Sequence, residues 1–286
     1  MRSKEIVQNI KNNILQVTNY YSVKPTLYII KVGFNEASNI YVKNKVKACE
    51  ECGISVTVLQ YDNNVKESSL IRDIELFNHS EHIHGIIVQL PLPEHLNAYK
   101  IINTIYPEKD VDGFTDANLG KLMSGKECHI AATPKGICTL LKEYKVETEN
   151  RDIVIIGRSN TVGRPLANLL SNKVFNGNVT LLHSKTSIDK IKSYCKNADI
   201  IIVCCGIPKF LSLDFIGDNL PVVIDVGIHR IDDKLCGDTD YENIKNKCSY
   251  ITPVPGGVGP MTVASLLENT YEAYKDQQLL TTKYNL

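Results

Sequence analysis

The sequence carries no excess charge of either sign: 32 Lys and Arg stand against 32 Asp and Glu in 286 residues, a formal net charge of zero. A nucleic-acid binder needs a basic face or domain to neutralise phosphates, so that class is excluded. Long hydrophobic runs are missing as well. The longest, such as residues 200–205, fall far short of the roughly 18 residues that span a bilayer. Met1-Arg2-Ser3-Lys4 leads into a polar, helix-like stretch without the apolar core of a signal peptide, so a cytosolic protein with no membrane partner is expected. The sequence also lacks internal repeats and low-complexity tracts. Its nine cysteines are odd in number and scattered, unlike the framework of a small disulfide-stapled domain. Cys49-Glu50-Glu51-Cys52 is formally a CxxC, but no second Cys or His pair stands at zinc spacing and no strand leads into it. Neither a metal site nor a redox site is expected there. The remaining composition, 43% hydrophobic and 22% charged, is that of a globular protein.

Short apolar runs alternate with helix-period stretches. Residues 27–32, 54–59 and 85–90 are near-continuously apolar, as buried parallel strands are, and 38–52 and 68–79 between them have helical spacing. A second series follows: strands at 152–156, 178–182, 199–204 and 221–226, with helices at 164–171 and 187–194. Alternation of this kind implies βαβ units with right-handed crossovers. The expected fold is therefore two α/β domains with a cleft between them. One covers 1–140 and is completed by a terminal helix over 261–286; the other covers 141–260 and is Rossmann-like.

The strand Asp152-Ile153-Val154-Ile155-Ile156 runs into Gly157-Arg158-Ser159-Asn160-Thr161-Val162-Gly163-Arg164-Pro165. Strand, glycine turn and helix with an early proline form the geometry of a dinucleotide site, in which the backbone approaches the pyrophosphate and the helix N-terminus donates to it. The G-x5-G spacing differs from the G-x-G-x-x-G fingerprint, and many α/β proteins turn on glycine. The next strand is more specific. It ends in His183-Ser184-Lys185-Thr186, with no carboxylate to hold a ribose 2′-hydroxyl. Arg158, Ser184 and Lys185 suit a 2′-phosphate instead, which favours NADP over NAD.

In the first half, Ser38 to Lys45 opens a helix that Gly53 can close. Tyr41 and Lys45 share a face, four residues apart, beside an apolar stripe of Val42, Val46 and Cys49. Short-chain dehydrogenases carry such a Tyr-x-x-x-Lys pair after the nucleotide loop. Here it precedes the loop, which argues against that family, and for such a pair alone a surface lysine on a solvated helix is the favoured reading. The strand at 85–90 ends in Gln89-Leu90-Pro91-Leu92-Pro93, which puts an amide at the carboxyl edge of the sheet, where α/β ligands bind. Lys109-Asp110-Val111-Asp112-Gly113-Phe114 sets two acids in a loop, either as turn formers or as ligand contacts.

These segments occur in order with Thr133-Pro134-Lys135-Gly136 and Pro253-Val254-Pro255-Gly256-Gly257-Val258-Gly259-Pro260-Met261-Thr262. Together they closely resemble the bifunctional methylenetetrahydrofolate dehydrogenase/methenyltetrahydrofolate cyclohydrolase family, over nearly the whole chain. The resemblance implies oxidation of 5,10-methylenetetrahydrofolate with NADP, then hydrolysis of the methenyl product to 10-formyltetrahydrofolate. It makes Lys45 the catalytic acid/base, with Gln89 orienting it, Tyr41 stacking on the aminobenzoate ring and Asp112 gripping the pteridine edge. Ser38 is a supporting residue or the helix cap. Val88, Gln89 and Leu90 are implied to contact the folate, as are Pro255, Gly256, Gly257, Val258, Gly259, Pro260, Met261, Thr262 and Val263. Gly157, Arg158, Ser159, Ser184 and Ile228 are implied to bind NADP, with Ile228 on the nicotinamide side. A homodimer acting on tetrahydrofolate derivatives is implied, and no metal. Two features depart from the pattern: Ala131-Ala132-Thr133-Pro134 lacks the cysteine many members carry there, and the N-terminus is short, which leaves the pairing of the first strand open. A dehydrogenase without the cyclohydrolase, a binding module without turnover and a hydroxy-acid dehydrogenase are the alternatives.

Overall fold

The computed structural model describes residues 1–284; Asn285 and Leu286, the end of the expected helix at 261–286, lie outside the described residues. The first half holds α1 (Lys4–Thr18), β1 (Thr26–Val32), α2 (Glu36–Glu51), β2 (Ser55–Tyr61), α3 (Glu67–Asn78), β3 (Gly85–Val88), α4 (Ala98–Ile102) and α5 (Asp116–Met123). It is followed by α6 (Ala132–Glu143), β4 (Asp152–Ile156), α7 (Gly163–Leu170), β5 (Asn178–Leu182), α8 (Ile188–Asn197), β6 (Ile200–Val203) and β7 (Val222–Asp225). The chain closes with β8 (His229–Ile231), β9 (Lys234–Cys236), α9 (Tyr241–Ile244), β10 (Tyr250–Ile251) and α10 (Val258–Tyr284). None of the described helices is long and apolar enough to cross a membrane.

Contacts divide the chain into two units. One takes Gln8–Ala132 with the segment from Val263 onward, and the other takes Met1–Val7 and Thr133–Thr262. The division expected at 140/141 falls inside α6, and the structure moves it to the start of that helix. The reason is local: Gly136 packs on Met261, and the Thr133 and Thr262 hydroxyls hydrogen-bond at 3.0 Å.

In the first unit a parallel sheet runs in the order β2-β1-β3. β1 is central and pairs with both neighbours, Leu27 opposite Val56 and Gly85. Leu27, Ile29 and Ile30 are fully buried, packed between α1, α2 and α10 on one face and α3 and α4 on the other. This two-sided burial is why the sequence runs apolar without alternation. Gln89 N still donates to Ile30 O at 2.9 Å, but Pro91 has no N–H to offer, and the strand stops short of its expected end at residue 90. In the second unit a five-stranded parallel sheet runs β10-β7-β6-β4-β5 around its own core. The β8–β9 hairpin had no signal in the hydrophobic pattern. Its turn rests on Asp232 and Asp233, both at positive φ (47° and 60°), as a tight two-residue hairpin turn requires.

One buried residue sets an acid limit on stability. His84 is fully buried, its Nδ1 accepting from Thr26 N at 3.1 Å and its ring edge-on to Tyr274, while Nε2 has no partner among the described residues. Burial, with the charge of Lys109 second, pushes its pKa down from 6.5 to about 4. The unfolded chain therefore takes up this proton first as pH falls. Stability from neutral His84 is complete above pH 6.5 and is lost between 6.5 and about 4, at most about 1.4 kcal/mol per pH unit. Urea denaturation across that window should show a steeper loss of stability for the wild type than for His84→Gln.

Candidate active site

The candidate side chains of the first unit are positioned by α2, by the end of β3 and by the loop that follows α4. Asn35 caps α2, its Oδ1 accepting from Ser38 N at 3.0 Å. Ser38 is therefore not the cap; it sits buried in the first turn, its hydroxyl donating to Leu90 O at 3.4 Å. One turn apart on the same helix stand Tyr41, 37% exposed, and Lys45, only 8% exposed. Burial pushes the Tyr41 phenol up. Lys45 Nζ donates to Gln89 Oε1 at 3.1 Å, and Gln89 Nε2 donates to Leu90 O at 2.9 Å. That second bond fixes which way the amide points, so an acceptor always faces Lys45.

Asp112 completes the group. Its carboxyl is held above the ordinary carboxylate range, chiefly by burial, with the positive charge of Lys45 acting against the shift and Asp110 adding to it. No hydrogen bond reaches this carboxylate among the described residues. Asp110, the other acid of the loop, has a different role. It accepts from Phe114 N at 3.2 Å, Thr115 N at 2.8 Å, Thr115 Oγ1 at 2.7 Å and Asn118 Nδ2 at 2.9 Å. It organises the turn into α5. Gly113, at φ 67°, has no room for a side chain: a Cβ would come 2.6 Å from His129 O.

In the second unit, β4 ends at Ile156 and Gly157 follows, whose φ of 130° no side-chain-bearing residue adopts readily. The loop beyond is tied by Ser159, whose hydroxyl accepts from Val162 N at 3.1 Å and whose carbonyl accepts from Arg164 N at 3.1 Å. α7 starts at Gly163, so Pro165 falls in its first turn, where a missing N–H costs nothing. A cavity of about 400 Å³ opens over this edge of the sheet. Gly157, Arg158, Ser159 and Ser184 line it, together with His183 and an apolar wall of Ile188, Cys205, Ile207 and Phe210. No carboxylate is among the described residues lining it. Lys185 and Ile228 are not part of that lining; Ile228 stands 41% exposed in the turn before β8.

The sequence matches the tetrahydrofolate dehydrogenase/cyclohydrolase catalytic domain over residues 1–112 and the NAD(P)-binding domain of the same family over residues 131–278. The chain belongs to the tetrahydrofolate dehydrogenase/cyclohydrolase family. Within the family it is 48% identical to the bifunctional protein FolD of Campylobacter hominis, over 96% of this chain and 95% of that one. A crystal structure of the bifunctional FolD of Campylobacter jejuni superposes with a TM-score of 0.91 at 43% identity, covering 96% of this chain and 98% of that one. The FolD of Trypanosoma brucei, solved with NADP and an inhibitor, superposes with a TM-score of 0.91 at 31% identity, covering 96% and 97%.

In this family member the glycine-rich run is not all loop. α10 begins at Val258, three residues ahead of the start expected at 261, so residues 258–260 join its first turn, with Pro260 at a position that needs no donor. Thr262 Oγ1 donates to Val258 O and Met261 is fully buried, so both serve the helix rather than an open loop. Pro255 and Gly256 precede the helix, and Gly256 O accepts from Ser3 N at 3.1 Å. Two further residues carry the site without having been legible as doing so. Asn269 is fully buried and donates to Val111 O and Ile130 O, both at 2.8 Å, which locks the backbone next to Asp112. Lys109 Nζ donates to Phe77 O at 3.0 Å and Ser80 O at 2.6 Å, and burial lowers its pKa. It caps the carbonyl end of α3 and anchors the loop from the other side. The CxxC thiols are both buried, and burial pushes Cys49 to about 12 and Cys52 to about 11, which leaves them poor nucleophiles. No cluster of three or more His, Cys, Asp or Glu that could hold a metal occurs among the described residues.

Proposed function

We propose that this chain oxidises 5,10-methylenetetrahydrofolate with NADP and then hydrolyses the 5,10-methenyl product to 10-formyltetrahydrofolate, with Lys45 as the acid/base of the second step. The observation that carries this reading is the buried Lys45–Gln89 hydrogen bond at 3.1 Å, with Asp112 as the electrostatic neighbour of the lysine. When bound, NADP supplies the acceptor for the hydride that leaves the methylene carbon. The two folate nitrogens flanking that carbon stabilise the resulting cation, so this step asks the protein for positioning and not for a base. Asp112 fits the amino-pyrimidinone edge of the pterin, which presents two parallel donors to a carboxylate. Tyr41 offers a partly exposed ring for the aminobenzoate. Hydrolysis asks for more. Lys45 Nζ takes a proton from the water that adds to the methenyl carbon and returns it to the folate nitrogen as the carbon–nitrogen bond breaks, the remaining hydroxyl proton passing to solvent as the formyl group forms. Gln89 keeps Nζ aimed throughout. Arg158, Ser159 and Ser184 would hold the cofactor, with Arg158 and the Ser184 hydroxyl on a 2′-phosphate.

The second step is tested without the first. Protein given 5,10-methenyltetrahydrofolate and no cofactor should clear the methenyl species and yield 10-formyltetrahydrofolate. No acceleration over buffer would leave only the dehydrogenase. The cofactor assignment has its own test. Ser184→Asp sets a negative charge where the 2′-phosphate is proposed to lie and should raise the KM for NADP at least about tenfold, while sparing NAD. An unchanged NADP KM would refute that placement. We further place the protein in the cytosol as a homodimer. All nine cysteines are free, in keeping with a reducing compartment, and the dimer is what the family resemblance implies.

A further inference from the structure

Asp238 is fully buried, and each of its carboxylate oxygens takes a donor from a different turn. Oδ2 accepts from Gly206 N at 2.9 Å, in the turn after β6; Oδ1 accepts from His229 Nε2 at 2.7 Å, at the start of β8. The turn after β6 supplies Cys205 and Ile207 to the wall of the nucleotide cavity. The turn before β8 carries the exposed Ile228. Asp238 is itself seated by a second carboxylate. Asp225, the last residue of β7, accepts from Asp238 N at 2.8 Å and Gly227 N at 3.1 Å through Oδ1, and from Thr239 N at 2.9 Å and Thr239 Oγ1 at 2.5 Å through Oδ2. The network thus spans the carboxyl edge of the five-stranded sheet, the edge at which open α/β sheets bind ligands. Burying two carboxylates is a costly way to tie loops together, and apolar side chains would close the same space at less cost. Carboxylates add direction: short charge-assisted bonds fix where Gly206 and His229 stand.

We propose that Asp238 and His229 form a positioning pair for the dinucleotide, holding the cavity wall after β6 and the Ile228 turn at a fixed spacing. The inference rests on the NADP reading of that cavity. A wall set before the ligand arrives removes the ordering that binding would otherwise require, so the pair acts on cofactor affinity and leaves the hydrolytic step alone.

His229 is the partner to change, because its side chain is 19% exposed whereas Asp238 lies in the core. His229→Leu removes the donor; His229→Gln places an amide N–H at similar reach. On the full-length chain we would measure NADP affinity by titration calorimetry, cofactor-free hydrolysis of 5,10-methenyltetrahydrofolate, and Tm. His229→Leu should weaken NADP binding about tenfold, the loss expected for a buried charge-assisted hydrogen bond, with hydrolysis within about twofold of wild type. His229→Gln should recover affinity to within about threefold. The proposal is overturned if His229→Leu binds NADP as the wild type does, or if Gln restores no more than Leu. It is overturned equally if affinity, hydrolysis and Tm fall together, which marks a structural tie only. A wild-type chain that binds no NADP overturns the cofactor reading itself, and the pair with it.

Discussion

Lys45→Met should slow hydrolysis of 5,10-methenyltetrahydrofolate by about 10²–10⁴-fold, the range in which a positioned acid/base contributes to a rate. Methionine keeps the length and apolar stem of the side chain, so the buried helix face is filled and only the proton-carrying nitrogen is lost. The oxidation step moves no proton through Lys45, and NADP reduction should fall far less than hydrolysis. The diagnostic quantity is therefore the ratio of the two activities in one preparation. Wild-type protein passes the methenyl species onward, whereas the variant should accumulate it. Gln89→Leu should show the same pattern more weakly, because it removes the acceptor at 3.1 Å that aims Nζ but leaves the amine in place. Hydrolysis by Lys45→Met within about threefold of wild type would remove the lysine from the mechanism.

Asp112→Ala should raise the KM for both folate substrates by about 10²-fold, since the two charge-assisted hydrogen bonds proposed to the pterin edge, at roughly 1.5–3 kcal/mol each, would be lost together. Cofactor affinity should be untouched. This separates loss of folate recognition from general damage. A pH signature follows from the burial of this carboxyl, which holds its pKa above the ordinary 3.8. The binding-competent carboxylate is complete only above that raised value and is lost as pH falls through it. Folate KM in the wild type should therefore climb on acidification at a higher pH than an exposed carboxylate would give, and the climb should be absent in Asp112→Ala. Steady-state kinetics from pH 7 downward, with a parallel check that the fold persists, measures both. A folate KM in Asp112→Ala near that of wild type would remove the residue from the substrate site.

The residues that were legible in the sequence were those whose geometry is local. Tyr41 and Lys45 could be paired because four residues on a helix return to one face, and Gln89 because an apolar run ended at it and ligands gather at strand ends. The strands announced themselves for the same reason, since burial on both faces of a parallel sheet writes an unbroken apolar run. Where the deciding partner lies far away in sequence, the pattern fell silent. Asp110 and Asp112 read alike in the chain; only the four donors that converge on Asp110 separate a turn organiser from a carboxylate left open. Asn269 and Asp238 look like ordinary polar residues until their partners, Ile130 and Gly206, are seen beside them. Ser38 suited the cap by residue type, but the helix begins earlier and Asn35 caps it, accepting from Ser38's own N–H. The start of α10 was masked by glycine and proline, residues that read as loop yet are tolerated in a first turn.

One chain carries out two consecutive steps on one folate, and both can be followed together. Purified protein should be incubated with 5,10-methylenetetrahydrofolate and with NADP or NAD in parallel, following reduced cofactor and the methenyl species separately. NADP should be reduced in preference to NAD, with little accumulation of the methenyl species and 10-formyltetrahydrofolate appearing in step with reduced cofactor. Reduction with stoichiometric methenyl build-up would contradict the bifunctional reading, and no reduction with either cofactor would contradict the account at its root.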